Sequence, residues 1–204
     1  MQIRWNRSTC NFVKTIIFAD KRKLKNTYIM KKLCLISLLA VSMVGCTKWL
    51  EDEELTLPKT PYTGNELRTD GYYYYTTNGD YFRSITFFYK NGIAFRPIGD
   101  AHSLQEVDEY VINELIGENR YHDVQWSWEL YNIENDRILI NYWVPPRPHQ
   151  CYFKEGTILN DTTFIIQRYY RMENGEMTDE GDVNETFHFR QFSPKPDSTN
   201  IFIP

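Results

Sequence analysis

The sequence predicts an all-β domain of about eight short antiparallel strands, folded as a sandwich or an up-and-down barrel, with one inserted helix. Three observations carry this. From Arg68 onward apolar and polar residues alternate, the period of a half-buried strand. Turn signals recur at roughly regular spacing, with Asn-Gly at 78–79, 91–92 and 174–175. A single stretch, 103–117, has helical spacing instead.

The elements follow in order. Gly71-Tyr72-Tyr73-Tyr74-Tyr75-Thr76 is rich in β-formers and ends at Asn78-Gly79. Tyr81 to Lys90 is the second strand, and Asn91-Gly92 turns it into Ile93 to Arg96. Val124, Trp126, Trp128 and Leu130 alternate with Gln125, Ser127 and Glu129, which predicts a strand with one buried face. Asn135-Asp136 leads into Ile138 to Val144. Cys151 to Lys154, Thr162 to Arg171 and Glu185 to Phe192 complete the set. In the helix, Ser103 and Glu106 form a capping box. Leu104, Val107, Val111 and Leu115 share one face, and Gly117 is placed to end the helix in a left-handed conformation.

Upstream lies a different kind of segment. Lys31 and Lys32 precede an apolar run from Leu33 to Val44, and Gly45 stands before Cys46. This charged, apolar, small-residue order is that of a secretory signal. The run is too short for the ~20 residues a membrane-spanning helix needs. Val41-Ser42-Met43-Val44-Gly45-Cys46 resembles the lipobox of bacterial lipoproteins. The resemblance implies lipidation of Cys46, removal of residues 30–45 as a signal peptide, and a membrane partner held through Cys46. The expected place is the outer membrane, on its periplasmic or its surface-exposed face. Residues 1–29 hold seven Lys+Arg against one acid and precede a natural start at Met30-Lys31-Lys32. They are expected to be a mis-assigned start or a basic extension.

Composition narrows the function. The chain has 23 Lys+Arg and 27 Asp+Glu, of which residues 1–46 hold nine and one. The remainder carries 14 bases against 26 acids, net −12, which disfavours a nucleic-acid partner. Cys151 is the only cysteine after Cys46, so no disulfide framework is expected. Residues 46–65, with Glu51-Asp52-Glu53-Glu54, Pro58 and Pro61, are expected to be a lipidated acidic tether making few buried contacts. Residues 66–204 are then the domain.

That domain resembles the lipocalin-like lipoproteins of bacteria from about Thr69 to Phe192. The resemblance is carried by Gly71-Tyr72-Tyr73, Phe88-Tyr89-Lys90-Asn91-Gly92, Trp128-Glu129-Leu130-Tyr131 and Gly156-Thr157-Ile158-Leu159-Asn160-Asp161. It implies a lipocalin-like up-and-down antiparallel barrel.

No string of a known catalytic motif follows Cys46. His149 and Cys151 alternate on one strand but lack an orienting third group, so a packed thiol is expected. His102, His122, His149 and His188 have no ligand spacing, and no metal or other cofactor is expected. The aromatics are the best site candidates: Tyr73, Tyr75, Phe87, Trp126, Trp128 and Tyr142 are placed to line a barrel interior. Such a barrel either fills its interior or holds one small ligand. The leading expectation is a non-enzymatic module for a small apolar ligand. The alternative is a filled barrel that meets a protein or glycan through its loops, with an enzyme third. Replacing Cys46 by Ser is expected to abolish incorporation of labelled acyl chains, measured in cells; incorporation equal to wild type rejects the lipoprotein reading.

Overall fold

The computed structural model describes residues 51–77, 81–97, 99 and 101–204. The signal segment, Cys46 and the Asn78-Gly79 turn lie outside the described residues. From Asp52 to Pro204 the chain forms one compact unit.

Eight strands close into an antiparallel barrel in sequence order. They are β1 (Gly71–Thr77), β2 (Tyr81–Phe88), β3 (Ile93–Phe95), β4 (Trp128–Glu134), β5 (Arg137–Val144), β6 (Gln150–Asn160), β7 (Thr163–Glu173) and β8 (Glu176–Gln191). Every connection except β3 to β4 is short, so each strand pairs with its successor. Asn174 and Gly175 both take positive φ, 53° and 85°, giving the two-residue β7–β8 turn that matches strand twist. The seam is β1 against β8, with Gly71 opposite Gln191 and Tyr75 opposite Phe187. At Gly71 a Cβ would collide with the Arg190 carbonyl oxygen, so glycine permits the closest approach across the seam.

Closure gives every strand an inner and an outer face. Inner residues come from all eight strands. Tyr73, Phe88, Ala94, Tyr131, Ile138, Ile140, Ile158, Phe164, Ile166 and Phe187 form one buried cluster. Rings meet across the lumen: Phe88 of β2 and Phe164 of β7 lie 5.8 Å apart by centroid. The Phe164 and Phe187 rings stack at 4.7 Å.

A second core lies on the outer wall of β1 to β6. Tyr72, Phe87, Phe95, Trp128, Leu130 and Trp143 are buried there beneath residues 101–126, Leu55 and Leu57, and the C-terminal segment. Helix α1 (Leu104–Tyr110) starts as the capping box requires. The Ser103 side chain accepts the Glu106 N–H at 3.1 Å. The Glu106 carboxylate reaches back to the His102 N–H at 2.8 Å, one residue earlier than the motif predicts. Val107, Val111 and Leu115 are buried, and the turns widen into a π-helix over Val111–Gly117. Gly117 does not end it in the left-handed region; Asn119, at φ 54°, is the first residue there. Asp108 ties the helix to the wall, accepting from the Tyr72 hydroxyl at 2.8 Å and from Arg190 Nε at 2.9 Å.

Two sequence expectations change. Residues 124–130 are not one strand: Gln125–Ser127 form a 3₁₀ turn, and β4 begins at Trp128. Trp126 therefore leaves the alternation and packs its ring on Tyr121 at 5.7 Å. Residues 52–65, expected to make few buried contacts, instead form a strap along the outer wall. The Glu53 carbonyl accepts from Trp143 Nε1 at 2.6 Å, and the Glu53 N–H donates to the His149 carbonyl at 2.9 Å. Buried Asn141 accepts from the N–H groups of Thr56 (2.8 Å) and Leu57 (3.1 Å) and donates to the Tyr152 carbonyl. The acidic composition hid this, because the bonds are made mostly by backbone groups. The C-terminal segment is fixed in the same way, with Lys195 Nζ donating to the carbonyls of Thr69 and Phe88.

Asn141→Ala strands two strap donors and one strand carbonyl. The expected cost is about 1–3 kcal/mol, the penalty for buried polar groups left unpaired. For a domain of this size each kcal/mol moves Tm by about 2–4 °C. A thermal melt of the variant checks this; an unchanged Tm shows that the strap contributes nothing to the fold.

Candidate binding cavity in the barrel

The barrel interior divides along its axis. The half toward the β4–β5 and β6–β7 turns is filled by apolar and aromatic side chains. The other half, toward the β5–β6 and β7–β8 turns, holds a cavity of about 300 Å³ that opens to solvent, with the exposed Tyr169 on its wall. That is the low end of the range for small-molecule pockets. Most of the wall contributes: Tyr75 from β1, Ser84 from β2, Arg96 after β3, Tyr142 from β5 and Lys154 from β6. Ile166 and Tyr169 from β7, with Val183 and Glu185 from β8, close the ring. A groove on the outer wall near Arg137, Glu155 and Tyr170 holds an exposed ion-pair cluster and no buried polar group.

The cavity floor is charged. Glu129 of β4 is fully buried, 0 % exposed, and ion-pairs through Oε1 with Arg96 Nε. Among the described residues its Oε2 has no hydrogen-bond partner. The Arg96 guanidinium lies 5.4 Å and the Lys154 ammonium 4.5 Å from the centroid of the Tyr142 ring, which is stabilising because the ring face is electron-rich. Burial, and then the neighbouring Arg96 charge, push the Lys154 ammonium down to about 8. Burial likewise raises the Tyr142 hydroxyl well above its ordinary value.

Of the six aromatic candidates, three are brought together inside. Tyr75 and Tyr142 line the cavity. Tyr73 faces the lumen below them, its ring on Phe88, Phe164 and Phe189 and its hydroxyl donating to the Asp161 carbonyl at 2.7 Å. Phe87 and Trp128 are corrections. Both are fully buried, but on the outer wall, under the helical segment. Trp126 is half-buried outside the barrel. Alternation told that Trp128 was buried and could not tell on which side, since both faces of β4 are covered. The charged floor was missed for the same reason. Arg96, Glu129 and Lys154 are ordinary polar positions in an alternating pattern until closure turns them inward.

The other expected sites are placed as follows. Cys151 is buried against the strap, its Sγ 3.4 Å from the Glu53 carbonyl oxygen. Burial, and then the Glu53 charge, raise the thiol to about 12, which holds it neutral where a nucleophile needs a thiolate. His149 lies buried with Nδ1 3.4 Å from Asp52 Oδ2. Among the described residues no three His, Cys, Asp or Glu converge on a metal position. No helix among them is long and apolar enough to cross a membrane. No protein-family model, no curated protein and no solved structure matches this chain.

The Lys154 shift has a sign that can be measured. Its folded value, about 8, lies below the ~10.4 of an unfolded lysine. Between these values the unfolded chain binds more protons, so stability from this site rises with pH. Lys195, pushed down to about 8 by burial, adds a slope of the same sign, so a difference must be taken. Wild type is expected to gain stability relative to Lys154→Met as pH rises from 7 to 10, read by urea unfolding. Parallel curves reject a desolvated ammonium at Lys154.

Proposed function

We propose that this chain is a membrane-anchored lipoprotein whose lipocalin-like barrel is a non-enzymatic binding module for one small molecule. The observation that carries the reading is the cavity itself: space inside the barrel, with tyrosine and aliphatic surface beside convergent polar and charged groups. Tyr75, Ile166, Tyr169 and Val183 offer apolar surface to a ligand body. Ser84, Arg96 and Lys154 offer polar groups that fix its orientation. The lipobox-like segment ending at Cys46 supports attachment to the outer membrane. A solid lumen would favour a module that works through its loops; here only one half of the lumen is packed.

The test is a thermal melt of the full-length chain with a panel of fatty acids, sterols and small aromatic acids and amides. A ligand at a hundred times its Kd adds about 2.7 kcal/mol. At about 2–4 °C per kcal/mol the Tm should then rise by several degrees. Val183→Trp, at the cavity wall, should remove the shift while the protein still melts cooperatively. A shift of equal size in that variant places binding elsewhere and rejects the reading.

A further inference from the structure

The charge balance of the floor points to the chemistry of the ligand. Two cations, Arg96 and Lys154, stand with two carboxylates, the buried Glu129 and Glu185 on the wall, and Arg96 takes Glu129 as its ion-pair partner, which leaves Lys154 with no contact ion pair. Among the described residues Lys154 has no carboxylate within 4.0 Å and no hydrogen-bond acceptor. Its contact is the Tyr142 ring. Glu129 and Glu185 act on the half-buried Lys154 ammonium only from beyond contact distance, and an anion brought by a ligand would give it a close partner. Glu185 of β8 also lines the cavity, yet it forms no ion pair with either cation. Around this position stand the phenols of Tyr75, Tyr142 and Tyr169 and the hydroxyl of Ser84, all able to donate to an anion. The space between the tyrosines, Ile166 and Val183 suits a flat apolar body.

We propose that the barrel cavity selects a small organic carboxylate with a flat apolar body, its carboxylate seated beside Lys154 and Arg96 and its body between Tyr75, Tyr142 and Tyr169. This rests on the reading that the cavity binds a ligand, and it adds the charge and shape of that ligand.

The experiment uses a matched pair of probes, 2-naphthoate and 2-naphthamide, which share a ring system and differ in charge. Each is titrated calorimetrically at pH 7 into the full-length protein and into Lys154→Met and Glu185→Gln. The naphthoate is expected to bind wild type at least tenfold more tightly than the amide. Lys154→Met should erase that preference. Glu185→Gln, which removes a negative charge from the wall, should tighten naphthoate binding. Equal binding of the two probes to wild type, or a preference that survives in Lys154→Met, overturns the carboxylate assignment while leaving a binding cavity in place. Weaker naphthoate binding in Glu185→Gln shows that Glu185 serves Lys154, and overturns the assignment too. Binding of neither probe, with no shift from any member of the melting panel, overturns the assignment and the binding reading together.

Discussion

The pairing of β1 with β8 is the constraint on which the rest depends. Five residue pairs, from Gly71–Gln191 to Tyr75–Phe187, turn an open meander into a closed wall. Closure removes both exposed edges, which otherwise template aggregation. It also fixes two faces on every strand. Without the seam Tyr73 would not meet Phe189, and the packed half of the lumen would lose its central ring cluster.

Closure also traps charge. Once the wall is shut, Arg96, Glu129 and Lys154 cannot all turn outward, because their strand neighbours Phe95, Trp128 and Phe153 are buried on the opposite face. Burying an ion pair tends to cost more in lost hydration than it returns in attraction. A barrel built for stability alone would carry apolar residues at these positions. The unpartnered Oε2 of Glu129 and the Lys154 ammonium without a carboxylate are energetic liabilities that packing does not explain. The proposed ligand carboxylate would give the Lys154 ammonium a physical reason, whereas the Glu129 Oε2 calls for a hydrogen-bond donor.

The outer wall is organised by a different economy. Strands β1 to β6 carry a second apolar face, and the molecule covers it with what the chain has left: a helical segment, the strap and the C-terminal turn. The strap is held by backbone groups to Asn141, Trp143 and His149 and by Leu55 and Leu57 packed on the outer-wall core. The Arg171 ion pair with Glu53 adds a charge contact at the rim of the open half. The wall of β6 to β8 is left bare, and Leu159, Met172 and Met177 are exposed there.

By itself the sequence determined the elements and their order. Alternation, Asn-Gly turns and the Ser103 capping box are local signals, set by dihedral preferences and by neighbours a few residues away, so the eight strands and the helix were legible. That Tyr73, Tyr75 and Tyr142 lie on strands was legible too, but their inward direction was not, because Tyr72, Asn141 and Trp143 on the opposite faces are buried as well. Only the tertiary structure decided the rest. Phe87 and Trp128 face a second core because the helical segment covers the outer wall, a contact no local pattern encodes. The strap is invisible in composition because backbone groups make its bonds. The cavity floor joins residues from β4, β5, β6 and the β3 exit, and their meeting depends on barrel register. A shift of one residue in that register would have turned Lys154 and Glu129 out to solvent.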